Sequence, residues 1–379
     1  MNNNEIWVFL SHSNRDFEKV RRVRDMLENM HMRPLMFFLN CLKDDEEIDS
    51  LIKREIDCRT RFILCDSKEA RKSKWVRKEV EYIKSKDRIL EIIDLDWRDD
   101  KILKKLNDFK RKATIFFSYG RSNCNIAETV YKRLKKFDFL VFFDKFDLTA
   151  SPFSETILNE LNNSQEKGTI IAFVNNSEWT KYEIAKALEY DKQNDCKTII
   201  PIITESRFVH KIQEDEILKE LYSYHPLDVS SLDISTQCDV IVNHVLKQLL
   251  TPGAILAYAN NFNEGINCKV DKQDADKLYS LYFQMADKAS DEGSDTALRA
   301  LGICYEMGWG TPINLKQALC CFRDAIAISK SDEERVVLKI QGQWNFKTNA
   351  PICRQKSDFS LVDIYNHIKL LCNKYLLNK

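Results

Sequence analysis

One order of elements occurs twice in this chain, the second copy starting about 105 residues after the first, which marks an internal duplication. The first copy opens with IWVFLS (6–11), a short apolar run rich in strand formers. FEKVRRVRDMLENM follows, with Val20, Val23, Met26, Leu27 and Met30 at helical spacing. Then come a strand at LMFFLN (35–40), a helix carrying Ile48, Leu51, Ile52 and Ile56 on one face, and a strand at RFILC (61–65). A helix around 75–83, a strand at RILEIID (88–94) and a short charged helix complete the unit. From Ala113 the sequence begins again. TIFFS (114–118), a helix through Tyr131 and Leu134, FLVFFD (139–144), a helix around 154–161, TIIAFV (169–174), a helix from Lys181 and TIIPII (198–203) repeat the order. Strands alternating with helices at this spacing predict βαβ crossovers and a parallel sheet covered on both faces. The expected fold class is therefore α/β, as two such domains at 1–110 and 111–208.

Sheets of this kind place working residues on loops at the carboxyl ends of their strands. That directs attention to 11–15, 40–49 and 66–75 and to their counterparts in the second copy. One motif there is itself duplicated. SKWVRKE (73–79) and SEWTKYE (177–183) both read Ser-x-Trp-x-x-x-Glu at the start of the helix after the third strand. Ser suits a helix N-terminus. Trp and Glu four residues apart share a helix face, so Trp75 with Glu79 and Trp179 with Glu183 each set a flat ring beside a carboxylate. The plain alternative is a core Trp and a solvated Glu paired with a nearby Lys. Recurrence at the same place in both copies favours a functional reading.

These residues resemble the Toll/interleukin-receptor (TIR) family. VFLSHSNRD (8–16) is similar to its opening strand and loop, and SKWVRKEV (73–80) to its third-strand helix signature. IFFSYG (115–120), VFFDKFDLTASPF (141–153) and SEWTKYEI (177–184) carry the likeness in the second copy. The resemblance implies a flavodoxin-like five-stranded parallel sheet in each copy. It further implies NAD as substrate rather than cofactor, cleaved at the nicotinamide–ribose bond to ADP-ribose or a cyclic nucleotide. The family's catalytic Glu maps to Glu79 and Glu183. Loss of nicotinamide leaves an oxocarbenium-like ribose, which a fixed anion stabilises. Trp75 and Trp179 supply platforms for the nicotinamide or ribose. Ser11, His12 and Ser13, with Ser118, Tyr119 and Arg121, approach the ribose and phosphates.

The copies depart from the family pattern differently. LNCLKDDEE (39–47) in the first is acidic and lacks the usual Gly, Pro and aromatic residues, whereas the second keeps Asp144 and Phe153 in a recognisable loop but has a shorter segment before Trp179. Active family assemblies often form the substrate site between neighbouring domains, so Glu79 working with the 144–153 loop is one expectation; a single working domain beside a structural one is the other. His12 reads more readily as a loop-stabilising residue than as a general base. The basic run KEARKSKWVRK (68–78) reads as a solvated face offset by DDEE at 44–47 rather than a phosphate cradle. A receiver domain shares the sheet order, and Asp66 ends strand three, but the paired acids it needs after the first strand are replaced by Ser11, His12 and Ser13.

Beyond about 210 helical periodicity dominates. The expectation is connecting helices over 209–255, including one amphipathic helix at 240–250, then helical repeats over 256–330 and a helical cap over 331–379 that includes DIYNHIKLLCNKYL. TALRALGICYEMGWGTPINLKQALCCFRDAIAI (296–328) resembles the Sel-like repeat, a relative of the tetratricopeptide repeat. Ala297, Leu301, Gly302, Tyr305, Gly308, Gly310, Ala318, Phe322 and Ala325 stand at its positions. LYSLYFQMADKASDEGS (278–294) is similar to the second helix of a preceding repeat. One or two repeats rarely bury a core alone, so this region is expected to pack on the rest, bind a protein partner or oligomerise.

Composition limits the remaining choices. Nine glycines and seven prolines in 379 residues are far below the usual share of ~12% and argue against a β-sandwich or flexible linker. Lys+Arg and Asp+Glu are 58 each, so no bulk positive charge favours nucleic acid as a partner. No run approaches the ~18 apolar residues of a membrane span, and the first residues have no basic, apolar leader pattern. Twelve cysteines without a CxxC pair read as reduced packing residues, and the six His never reach ligand spacing with Cys, so no metal site is expected. The expected protein is cytoplasmic, an NAD-cleaving enzyme of bacterial-type defence or stress signalling, with TIR–TIR contacts within or between chains. The other reading is a non-catalytic adaptor acting through the same contacts and the repeats.

Overall fold

The computed structural model describes residues 6–36, 45–143, 168–329, 344–345 and 350–351. In the first α/β unit the strands are β1 (Ile6–Ser11), β2 (Met32–Leu35), β3 (Phe62–Asp66) and β4 (Leu90–Asp94), all parallel, in the order β2-β1-β3-β4. The helices are α1 (Phe17–Asn29), α2 (Asp45–Asp57), α3 (Lys68–Lys72), α4 (Lys74–Ser85) and α5 (Asp99–Arg111). Val20, Val23 and Leu27 of α1 join Ile102, Leu106 and Phe109 of α5 under one face of the sheet. Ile48, Ile52 and Ile56 of α2 and Ile83 of α4 cover the other. A strand buried on both faces must be apolar throughout, and Ile6, Val8, Phe9 and Leu10 are all buried.

Two details differ from the sequence reading. The second strand is Met32–Leu35, earlier than LMFFLN. It lies at the sheet edge, where Pro34 is tolerated because its missing N–H is not needed, and it pairs in register with Val8. Among the described residues the first sheet has four strands, not the five the resemblance implies; its edge strand β4 leaves Ile92 exposed.

The second unit contains β5 (Thr114–Ser118), α6 (Cys124–Leu134), β6 (Leu140–Phe142), β7 (Thr169–Phe173), α7 (Glu178–Asn194), β8 (Ile199–Ile203), α8 (Arg207–Glu214) and β9 (Leu227–Asp228). These strands are parallel in the order β6-β5-β7-β8-β9. The fifth strand therefore lies past the expected boundary at 208, because two residues paired as Ile202 with Leu227 and Ile203 with Asp228 leave no periodicity to read. It is followed by α9 (Ile234–Leu249), which packs beside α6, with Arg133 2.5 Å from Asp239. Buried Asp191 fixes the approach to β8 by accepting from the Thr198 backbone N–H (2.8 Å), the Thr198 hydroxyl (2.7 Å) and the Tyr224 hydroxyl (2.9 Å).

Residues 1–251 form one compact unit and 252–379 another. In the second, α10 (Pro252–Glu264) pairs with α11 (Lys272–Asp291), and α12 (Asp295–Met307) with α13 (Leu315–Ser329). Two short strands pair antiparallel, Trp344–Asn345 with Ala350–Pro351. The repeat expectation at 256 cuts through α10, which begins at Pro252. Small residues permit the close helix contacts: a Cβ on Gly302 would lie 2.8 Å from the Phe322 ring. Trp309 stacks on Tyr279 at 5.0 Å, which brings Gly310 onto the backbone of α11. No described helix is long and apolar enough to cross a membrane, and the nine described cysteines are free thiols. The helix expected at 154–161 and the cap at 363–376 lie outside the described residues.

Gly310 has φ +68°, and a Cβ there would stand 2.6 Å from the Ser280 α-carbon. Gly310→Ala should therefore destabilise the helical unit by about 2 kcal/mol or more in urea unfolding of the full chain. An unchanged midpoint would mean that the turn does not need glycine.

Candidate active site

The first strand of each unit ends in serine, and the helix that carries the motif begins five residues before its glutamate, at Lys74 for Glu79 and at Glu178 for Glu183. Parallel pairing brings these two points together at the carboxyl end of the sheet, since β1 lies beside β3 and β5 beside β7. Ser11 Oγ donates to Glu79 Oε2 at 2.5 Å, and Ser118 Oγ donates to Glu183 Oε2 at 2.6 Å. Both glutamates are buried, Glu79 with 7% and Glu183 with 4% of its surface exposed. The hydroxyls of Ser11 and Ser118 are thus engaged by the carboxylates.

Burial raises the Glu79 carboxyl from its ordinary value near 4.5 to about 7, against the opposing pull of the Ser11 hydrogen bond. One donor does not replace the water that a carboxylate loses in an apolar site. Half of the Glu79 population is thus protonated near neutrality.

The helix starts differ between units. Ser73 caps α4 by accepting from the Val76 N–H, as a helix-starting serine should. Ser177 makes no such side-chain bond. There Asn175 takes over: its Oδ1 accepts from the Ser177 N–H at 2.8 Å, and its amide donates to the Phe173 carbonyl at 2.7 Å. A Cβ on Gly120 would lie 2.8 Å from the Asn175 side chain, so glycine lets the first-strand loop close over it. Neither Asn175 nor Asn123, which donates to the Thr204 hydroxyl at 2.6 Å, was singled out from sequence. The available signal was a glycine kept in a glycine-poor chain. The first unit has α3 in this place, capped by Ser67, whose hydroxyl donates to Asp16 at 2.6 Å. Arg15 pairs with Glu69 across the same gap.

The two tryptophans differ in their surroundings. Trp75 is half-buried against the α2 cluster, with Lys74 and Lys78 over its ring at 5.4 and 4.8 Å. Trp179 is 39% exposed and lies 5.8 Å from Tyr182, itself 40% exposed. In the second unit the acid lies inside and the ring outside, the reverse of the plain structural alternative; in the first the acid is inside and the ring is partly in the core. His12 is buried, bonded through Nδ1 to the Leu10 carbonyl at 2.9 Å, and pushed below its ordinary value by burial. Ser13 accepts from the Arg15 N–H and starts a helical turn. Tyr119 stacks on Phe143 at 4.6 Å, and Arg121 is exposed on the same loop. In the basic run, Arg71 pairs with Asp66, Lys72 with Glu69 and Lys78 with Asp49. Asp144 and Phe153 lie outside the described residues.

A family model described as the TIR domain matches residues 8–110 and again 115–237. Comparison with curated proteins returns no match, and comparison with solved structures returns none.

The raised Glu79 carboxyl sets a stability trend. Below pH ~4.5 it is neutral folded and unfolded; between ~4.5 and about 7 only the unfolded chain releases the proton, so stability falls as pH rises; above 7 the full cost, about 3 kcal/mol at 1.36 kcal/mol per unit, is present. Glu79→Gln should accordingly be more stable than wild type at pH 8 by about 1–3 kcal/mol, with the gain vanishing near pH 4.5. Urea unfolding at both pH values checks this, and a gain that is independent of pH would contradict it.

Proposed function

Since this chain belongs to the TIR-domain family through both of its α/β units, we propose that it cleaves NAD at the nicotinamide–ribose bond, with Glu79 and Glu183 as the catalytic carboxylates. The observation that carries the reading is the twin buried Ser–Glu pair at the carboxyl ends of both sheets. Holding an ionised carboxylate away from water is costly, and that cost is recovered only when positive charge appears beside it. The substrate brings such charge twice, first as the cationic nicotinamide ring and then as the ribose oxocarbenium ion left when the ring departs. Approach of the ring also draws the Glu79 carboxyl down toward its ionised form. Nicotinamide leaves as a neutral molecule and needs no proton, so no acid has to be found for it. Water, or another nucleophile of the dinucleotide, then takes the cation, giving ADP-ribose or a cyclic product.

Within this reading the serine is a positioning residue, and the exposed Trp179 and half-buried Trp75 offer ring surface near the carboxylate-bearing helix. His12, Ser13, Tyr119 and Arg121 shape the entry loop. The four-helix region serves as Sel-like repeats that dock a protein partner and regulate the enzyme in a cytoplasmic defence or stress response. TIR–TIR contacts between chains belong to the same picture.

Purified full-length chain should release nicotinamide from NAD, and the Glu79→Ala, Glu183→Ala double variant should release none. Intact NAD with the wild type would instead select the adaptor reading. The pH dependence adds a second check. Turnover at the Glu79 site, measured in Glu183→Ala, should rise through an ascending limb near pH 7, because the ionised form is the active one. Ser11→Ala removes the bond that favours ionisation and should move that limb to higher pH.

A further inference from the structure

We propose that two copies of this chain pair through the open edge of the first sheet, strand β4 against strand β4. The pairing stands apart from the NAD reading and holds whether or not the chain is an enzyme. The two α/β units treat the same edge differently. Leu64 of β3 is in register with Ser11 on one side and Ile92 on the other, as Ala172 of β7 is with Ser118 and Pro201. Ile92 and Pro201 therefore hold equivalent positions in the two sheets. Within a strand the N–H and C=O of one residue point to the same side, and the side alternates along the chain. The Val174 N–H donates to the Ile202 carbonyl at 2.8 Å, so Ile202 faces β7 and Pro201 faces away. At Pro201 the second unit has no N–H to leave open. Beyond it β9 covers the edge, with the Val229 N–H donating to the Ile203 carbonyl at 2.9 Å. All five residues of β8 are buried.

Strand β4 has the same polarity and neither protection. The Leu95 N–H donates to the Asp66 carbonyl at 3.0 Å, so Glu91, Ile93 and Leu95 face β3, while Leu90 and Ile92 turn their backbone groups to the edge. Among the described residues no strand pairs there. Ile92 is 49% exposed, and Ile89 beside the strand is exposed as well. Charged side chains commonly guard such an edge, but Glu91 is held by Lys105 at 2.9 Å and by Lys112. An unguarded edge strand is a template for another strand. A second copy fits it by symmetry. With β4 antiparallel to itself about a two-fold axis at Ile92, the outward N–H and C=O of the two Ile92 residues meet, and their side chains lie together on one face of the joined sheet. Leu90 then stands opposite Asp94, and Glu91 opposite Ile93, so no like charges are opposed. Five residues a side is a small contact against the ~1,200 Å² of a standard interface, which makes the dimer concentration-dependent rather than obligate.

Sedimentation velocity of the full chain, over a concentration range of about a hundred-fold, should show monomer passing into dimer. Ile92→Pro removes an N–H that the sheet does not use, as Pro201 does in the second unit, so it should keep the wild-type urea midpoint and stay monomeric throughout. Ile92→Lys sets a charge on the edge without touching the backbone; it too should stay monomeric, and it carries the test if proline disturbs the strand. Wild type that remains monomeric over the whole range would overturn the proposal, and so would a dimer that the folded variants still form. Hydrogen exchange locates the contact. The Ile92 amide should exchange freely in dilute wild type and slow as the dimer fills. An amide already protected in the monomer would mean that another segment of the same chain covers the edge, which contradicts pairing between copies.

Discussion

A carboxylate taken out of water and hydrogen-bonded by a serine hydroxyl governs the organisation of each α/β unit. At Glu79, where burial raises the carboxyl to about 7, a glutamine would cost less at the same place. The parallel sheet supplies the rigidity this requires. Ser11 is fixed by the pairing of β1 with β3, and Glu79 by the second turn of α4, whose Val76 and Ile83 are buried on the same side. The second unit reproduces the arrangement with Ser118 and Glu183, although the loop leading to its helix is built on Asn175 and Gly120 rather than on an added helical turn. Two different local solutions converge on one side-chain geometry.

The surroundings of the two acids are not equivalent. The ring of Trp75 is occupied by Lys74 and Lys78 and by the α2 core, whereas Trp179 shares an exposed surface with Tyr182. A lysine on one side of the duplication thus corresponds to a tyrosine on the other, and the aromatic surface available to a planar ligand differs accordingly. Asp138 of the second unit accepts from Thr60 and Arg61 of the first, residues that precede strands in their own sheets. The helical unit is ordered by a different rule, in which Gly302 and Gly310 allow a ring and a backbone to approach closer than any Cβ would permit.

Much of the fold was legible because its central strands are buried on both faces and so appear as unbroken apolar runs such as IWVFLS and TIIAF. The amphipathic helices were legible from their spacing. What escaped was decided by pairing rather than by pattern: β2 at a Pro-containing edge, and the two-residue β9 held only by its register with β8. At the site, the duplicated motif located Glu79 and Glu183, but sequence could not give the direction in which each member points. Spacing places Trp and Glu on one face; packing sends the acid inward and leaves the ring at or near the surface. Ser11 and Ser118 were marked as loop residues, and their engagement by the glutamates depends on strand order, a long-range property. Asn175 carried no periodic signal at all.

The most direct measurement is the infrared titration of the Glu79 side chain, read as the difference between wild type and Glu79→Gln. The protonated carboxyl band should disappear near pH 7, and at lower pH once NAD is added, because burial raises the group and a cationic ring restores its charge. A band lost near pH 4.5 and unmoved by NAD would contradict a desolvated carboxylate poised for a cation.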